Sequence, residues 1–160
     1  MSALKKAAIF VDVQNIYYTT KHTFSRSFNY RYFWSQIASQ YEIVDAFAYA
    51  IDKGDEQQQK FQSALRHIGF EVKLKPFIQR IDGSAKGDWD VGITIDIVEA
   101  AKHADIIILL SGDGDFDRLL THVKQRYDAH TIAMGVLNLT AQSLINACDE
   151  YIDIDQRWLL

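Results

Sequence analysis

The chain has a single cysteine, a single proline and no strictly aliphatic run longer than Ile106 to Leu110 in its 160 residues. A lone Cys148 cannot close an internal disulfide, so a disulfide-stapled secreted scaffold is excluded and a reducing, cytoplasmic setting is expected. Five consecutive aliphatic residues fall far short of the roughly 18 that a membrane span needs. The basic start at Lys5 and Lys6 is followed by an apolar stretch, Ala7 to Val11, that stops at Asp12 and is too short for an export signal. One Pro and eight Gly exclude collagen-like and low-complexity classes. Basic excess is missing as well: 17 Lys and Arg stand against 21 Asp and Glu, a net charge of −4. That balance excludes a globally basic mode of nucleic-acid binding, so an anionic partner must be held by a local patch or through metal ions.

What is present is enough apolar material, 48% of the residues, for the core of one domain spanning residues 1–160. Apolar runs bounded by turn signals alternate with helical periodicity, the pattern of an α/β protein whose mostly parallel sheet is covered on both faces. Five or six strands are predicted: Lys6 to Asp12, Ile43 to Ile51, Phe70 to Phe77, Asp105 to Ser111, His130 to Val136 and a short one at Tyr151 to Ile154. Phe61, Ala64, Leu65 and Ile68 recur at helical spacing, with Gly69 where a left-handed C-terminal cap would sit. A second stripe, Val91, Thr94, Ile95, Val98 and Ala101, predicts a helix from Asp90 to His103 with Asp90 as its N-terminal cap. Further helices are expected at Tyr30 to Gln40, Phe116 to Tyr127 and Thr140 to Cys148. Gln79 to Gly87 reads as an exposed loop.

In an open parallel sheet, ligands bind beyond the carboxyl ends of the strands, where strands end and helices begin. Asp12 ends the first strand, Asp113 and Asp115 follow the fourth, and Asp90 starts a helix, so all four converge on one edge. Asp88 and Asp117 lie close by in sequence. Asp96 is about 9 Å further along its helix at 1.5 Å per residue, a looser member. Within Ser111-Gly-Asp-Gly-Asp-Phe116 a strand-to-helix turn needs one Gly and one capping Asp, which leaves the second Asp surplus to structure. Carboxylates crowded together raise one another's pKa unless cations intervene. All-oxygen ligands suit Mg²⁺ or Mn²⁺, whereas zinc would want His and Cys. Such ions can activate water and clamp a phosphate for in-line displacement, which implies phosphodiester hydrolysis.

Competing motifs fail on particular residues. Gly112-x-Gly114 begins a dinucleotide fingerprint, but Asp117 stands where the third Gly belongs, and Asp113 and Asp115 would repel a pyrophosphate. No phosphate-binding G-x-x-x-x-G-K-[ST] loop or G-x-S-x-G elbow occurs.

Phe10-Val-Asp-Val-Gln-Asn15, Lys86-Gly-Asp-Trp-Asp90 with Asp96, and Ser111-Gly-Asp-Gly-Asp-Phe116 together resemble the NYN domain family of PIN-like nucleases, in particular its stand-alone bacterial members of the LabA type. The resemblance runs in order across nearly the whole chain. It implies a PIN-like, Rossmann-like three-layer α/β/α sandwich and a Mg²⁺- or Mn²⁺-dependent ribonuclease. The acidic site it implies comprises Asp12, Asp90 or Asp96, Asp113 and Asp115. Asn15 and Ser111 would be accessory polar groups, and Lys86 would stand near the phosphate.

The expected partner is single-stranded RNA, with no membrane; a homodimer or another protein partner stays open. Lys73, Lys75, Arg80 and Lys86, with Phe77 and Trp89, could flank a nucleic-acid groove. The alternatives are a non-catalytic RNA- or protein-binding regulator that keeps the pocket, and a metal-dependent phosphatase. A phosphatase would need a closed pocket rather than an open groove.

Overall fold

The computed structural model describes residues 3–76, 78–79, 85–86 and 88–160, with the backbone alone for 78–79 and 85–86. The first half comprises β1 (Lys6–Asp12), α1 (Val13–Phe24), α2 (Tyr30–Ala38), β2 (Glu42–Asp52), α3 (Glu56–Ile68) and β3 (Glu71–Pro76). Then come the short β4 (Ile78–Gln79) and β5 (Ala85–Lys86), α4 (Asp90–Ala101) and β6 (Ile106–Leu110). A 3₁₀ turn at Gly114–Phe116 leads into α5 (Asp117–Tyr127), followed by β7 (His130–Gly135), α6 (Gln142–Ala147) and β8 (Glu150–Asp153).

Six of the strands form one sheet in the order β3-β2-β1-β6-β7-β8, and every neighbouring pair is parallel. Strand order reverses between β1 and β6, the switch point at which doubly wound sheets open a crevice beyond their carboxyl ends. β1 and β6 run in unbroken register from Ala7 opposite Ile106 to Val11 opposite Leu110. Both are buried on two faces, which is why they read as continuous apolar runs rather than alternating ones. Alternation appears in their packing: Ala7, Ile9 and Val11 join one core with α1, α2 and α3, while Ala8 and Phe10 join the other with α4, α5 and α6. The result is the expected three-layer α/β/α arrangement.

Gly69 closes α3 at φ +140°, with its N–H bonded to the Leu65 carbonyl, and a side chain there would meet the Trp34 ring at 2.6 Å. Three local expectations are corrected. Residues 13–24, given no element from sequence, form α1, whose buried Thr19 and Thr20 hydroxyls donate to the carbonyls of Asn15 and Ile16 at 2.8 and 2.7 Å. Asp90 does not cap α4; it is the first helical residue after Trp89, and its N–H donates to Asp88 Oδ1 at 3.2 Å. The stretch expected as a plain loop contains an antiparallel pairing of Ile78 with Lys86 and Gln79 with Ala85. Among the described residues no helix is long and apolar enough to cross a membrane.

Candidate functional site

The acids arrive from three elements. Asp12 ends β1 and caps α1, its Oδ1 accepting from the Asn15 N–H at 3.5 Å. Ser111, fully buried just beyond β6, donates its hydroxyl to Asp12 Oδ2 at 3.1 Å and accepts the Asp113 N–H at 3.2 Å. Asn15 ties the same two segments from the other side, its Oδ1 accepting the Gly112 N–H at 2.9 Å. A side chain at Gly112 would meet the Leu139 carbonyl oxygen at 2.7 Å, so glycine lets this turn pack flat on the segment that follows β7. The β6 turn is thus fixed to α1 before any ligand is considered.

Asp113 caps the 3₁₀ turn, its Oδ1 accepting from the Asp115 N–H at 2.9 Å. One carboxylate oxygen from each of Asp90, Asp113 and Asp115 lies within 4.8 Å of the other two, with Asp90 and Asp113 half-buried and Asp115 exposed. Burial, followed by the charges of Asp113, Asp88, Asp12 and Asp115, pushes the Asp90 carboxyl up to about 7. Asp12 is pushed up to about 6, chiefly by burial; the hydrogen bonds from Ser111 and Asn15 pull it down, and Asp113 and Asp88 add a smaller upward push. An acid whose charge is suppressed near neutral pH by burial and by neighbouring acids is a group that a cation would relieve. The donor set is all oxygen, with one member open to water, and this fits a hard divalent ion that keeps part of its hydration.

The other candidates fall elsewhere. Asp96, on the next turns of α4, accepts from the Tyr49 hydroxyl at 2.8 Å and from Lys73 Nζ at 2.7 Å. Burial and Asp96 together hold the Tyr49 hydroxyl far above its ordinary pKa. Lys73 is therefore engaged, and its ammonium also sits 4.5 Å from the Phe47 ring centroid. Lys75 donates to the Asp88 carbonyl at 3.0 Å and lies over the Trp89 ring. Trp89 is itself a packing residue, with its indole N–H bonded to the Ala50 carbonyl at 2.9 Å. Phe77 and Arg80, and the side chain of Lys86, lie outside the described residues. Asp117 opens a groove of about 560 Å³ between α5 and α6 that also includes Arg118, His122 and Ser143.

The NYN domain description matches residues 6–155. The chain belongs to the NYN domain family. NYN domains are generally nucleases, and the acidic cluster lies within the matched span. The chain is 30% identical over 158 residues to the low amplitude and bright protein LabA of Synechococcus elongatus, covering 94% of this chain and 84% of that one. It is 49% identical to a protein of unknown function from Vibrio parahaemolyticus, whose crystal structure superposes with a TM-score of 0.95 over 100% of this NYN domain protein and 99% of the other. This likeness shows the fold.

Asp88 is the residue whose part in the site went unassigned from sequence. By accepting the Asp90 N–H it takes the capping role and leaves the Asp90 carboxylate beside Asp113 and Asp115. The Asp88-x-Asp90 spacing is its sequence signal, an Asx turn two residues before a helix.

Proposed function

We propose that this NYN domain is a divalent-metal-dependent endoribonuclease that cuts single-stranded RNA in the cytoplasm. The observation that carries the reading is the convergence of Asp90, Asp113 and Asp115 within 4.8 Å at the switch point of the sheet. Asp90, Asp113 and Asp115 would hold a Mg²⁺ or Mn²⁺ ion, which supplies charge compensation at the phosphate and a nucleophilic water.

The remaining roles belong to side chains of the chain. Asp12 stands outside that trio, and its carboxyl, pushed up to about 6 chiefly by burial, suits a proton acceptor in hydrolysis. Ser111 and Asn15 act through position: one orients Asp12, the other holds the Gly112 turn, and neither needs to touch RNA. The edge is open rather than enclosed, with Asp115 exposed and the α5/α6 groove beginning at Asp117, which favours a polymer over a small phosphate ester. No Ser-His or Cys-His pairing accompanies the acids, so attack by a protein nucleophile has no candidate among the described residues.

The test is incubation with end-labelled single-stranded RNA, single-stranded DNA and a generic phosphate ester, each in Mn²⁺ and in EDTA. Internal cuts in RNA with 5′-phosphate and 3′-hydroxyl ends, abolished by EDTA and by Asp113→Asn, are the expected result. A 2′,3′-cyclic phosphate would show that the substrate's own hydroxyl attacks and would overturn the mechanism. Intact RNA in Mn²⁺ with binding retained would make the chain a regulator.

A further inference from the structure

We infer that the outer face of α1 is the platform on which the RNA strand lies as it approaches the acidic edge. The inference rests on the endoribonuclease reading and adds a surface to it, because the two members of the expected basic flank that lie on β3 are engaged: Lys73 by Asp96, Lys75 by the Asp88 carbonyl.

Charge segregation is the first observation. From Val13 to Tyr41 the sequence has no acid at all, yet it carries Lys21, Arg26, Arg31 and His22, in a chain whose overall charge is −4. Arg26 is used internally, its Nε donating to the Leu160 carbonyl at 2.6 Å. Lys21 and His22 stand exposed on α1. Aromatic exposure is the second. Tyr17 and Tyr18 are 62% and 61% exposed, which is unusual for adjacent large rings that could have packed inward. Tyr18 lies over His22 with ring centroids 5.7 Å apart and planes 18° from parallel, a preformed stack with an open outer side. At 100° per residue Gln14, Tyr17, Tyr18, Lys21 and His22 share one helical face, and Val13 and Ile16 on the opposite face anchor the helix in the core.

Continuity with the site is the third. α1 begins at Asp12, so its face starts at the acidic edge; Tyr18 lies about 9 Å along the axis and Lys21 about 14 Å. Exposed rings alternating with cations, and without acids, are what a sequence-tolerant single-strand surface requires, since rings stack on bases and cations pair with phosphates. The helix is rigidly held, because Asn15 bonds its first turn to the Gly112 N–H and Ser25 closes its end on the Lys21 carbonyl.

The measurement is fluorescence anisotropy of a short labelled oligouridylate with the full chain carrying Asp90→Asn, in Mg²⁺, with strand integrity checked on a gel. Tyr17→Ala and Tyr18→Ala should each raise Kd about tenfold, and Tyr18→Phe should restore binding because the ring, not the hydroxyl, does the stacking. Lys21→Ala should lower the slope of log K against log salt by about 0.7. Melting temperatures, with and without Mn²⁺, should match those of the protein carrying Asp90→Asn alone and serve as the folding control. Unchanged Kd in both alanine variants overturns the inference, as does loss of binding in Arg118→Ala with α1 intact, which would move the strand to the α5/α6 groove. Conversion of a dimer to a monomer by Tyr17→Ala and Tyr18→Ala would also overturn it, making the face a contact between copies. Binding that follows the α1 variants in a parent that cuts no RNA would uphold the platform while removing the nuclease reading.

Discussion

Ser111 Oγ stands between Asp12 and Asp113, donating to the Asp12 carboxylate at 3.1 Å and accepting the Asp113 N–H at 3.2 Å. One hydroxyl thereby couples the end of β1 to the turn after β6. Ser111→Ala removes both bonds inside a fully buried position, and the expected cost is about 1–3 kcal/mol. The Asp12 carboxyl should climb above about 6, since the bond from Ser111 is among the influences holding it down. A carboxyl-carbon NMR titration of Asp12 reads the shift directly, and an unmoved midpoint would count against the coupling.

Asp113 has two jobs that different substitutions separate. Asp113→Asn keeps an oxygen for the Asp115 N–H and removes one repelling charge, so it should melt above the parent in EDTA. Asp113→Ala also loses the cap, worth about 1 kcal/mol, and should melt roughly 2–4 °C below the Asn variant. Both should lose the stabilisation that millimolar Mn²⁺ gives the parent by binding the native state alone. Differential scanning calorimetry distinguishes the three proteins.

The pH dependence follows from Asp90 and Asp12. Their folded pKa values, about 7 and about 6, lie above the ordinary 3.8, so the folded state holds more protons than the unfolded chain across that interval. Their contribution is fully present below about pH 4 and is lost as pH rises toward 7. Metal-free protein should therefore melt higher at about pH 5 than at about pH 8, and Asp90→Asn should flatten the difference. Mn²⁺ should act in the opposite sense, adding more stability at the higher pH because it binds the ionised acids. Parallel melts in EDTA and in Mn²⁺ check both slopes.

Asp96 provides a control within the same helix. Asp96→Asn breaks the half-buried ion pair with Lys73 while keeping an oxygen for the Tyr49 hydroxyl, and should cost about 1–3 kcal/mol. Its Mn²⁺ increment in melting temperature should equal that of the parent. Loss of that increment would place Asp96 at the ion.

Much of this arrangement was legible in the residues. β1 and β6 are buried on both faces and so announce themselves as unbroken apolar runs, and from them the carboxyl edge and the convergence of Asp90, Asp113 and Asp115 follow. α1 was illegible because Tyr17, Tyr18, Thr19 and Thr20 are poor helix formers; what makes them helical is the burial of Val13 and Ile16, and the two threonine bonds to the preceding turn satisfy hydroxyls that this burial takes out of water. Asp96 was ambiguous for a different reason. Its partners come from β2 and β3, Lys73 being 23 residues away, and local periodicity says nothing of contacts across the sheet.

The pairing of β1 with β6 has a kinetic consequence. Asp12 and Ser111 are 99 residues apart, yet their strands are neighbours at the centre of the sheet. Closing so long a loop is an entropic cost met before the contacts reward it, which makes the parallel pairing of β1 with β6 a slow step in folding. The turn that carries Asp113 and Asp115 is fixed by Asp12 and Asn15 across that closure, so the cation's binding set reaches its final shape only in the finished sheet. Divalent ions should consequently leave the refolding rate nearly unchanged and slow unfolding instead, acting as a latch on a finished sheet.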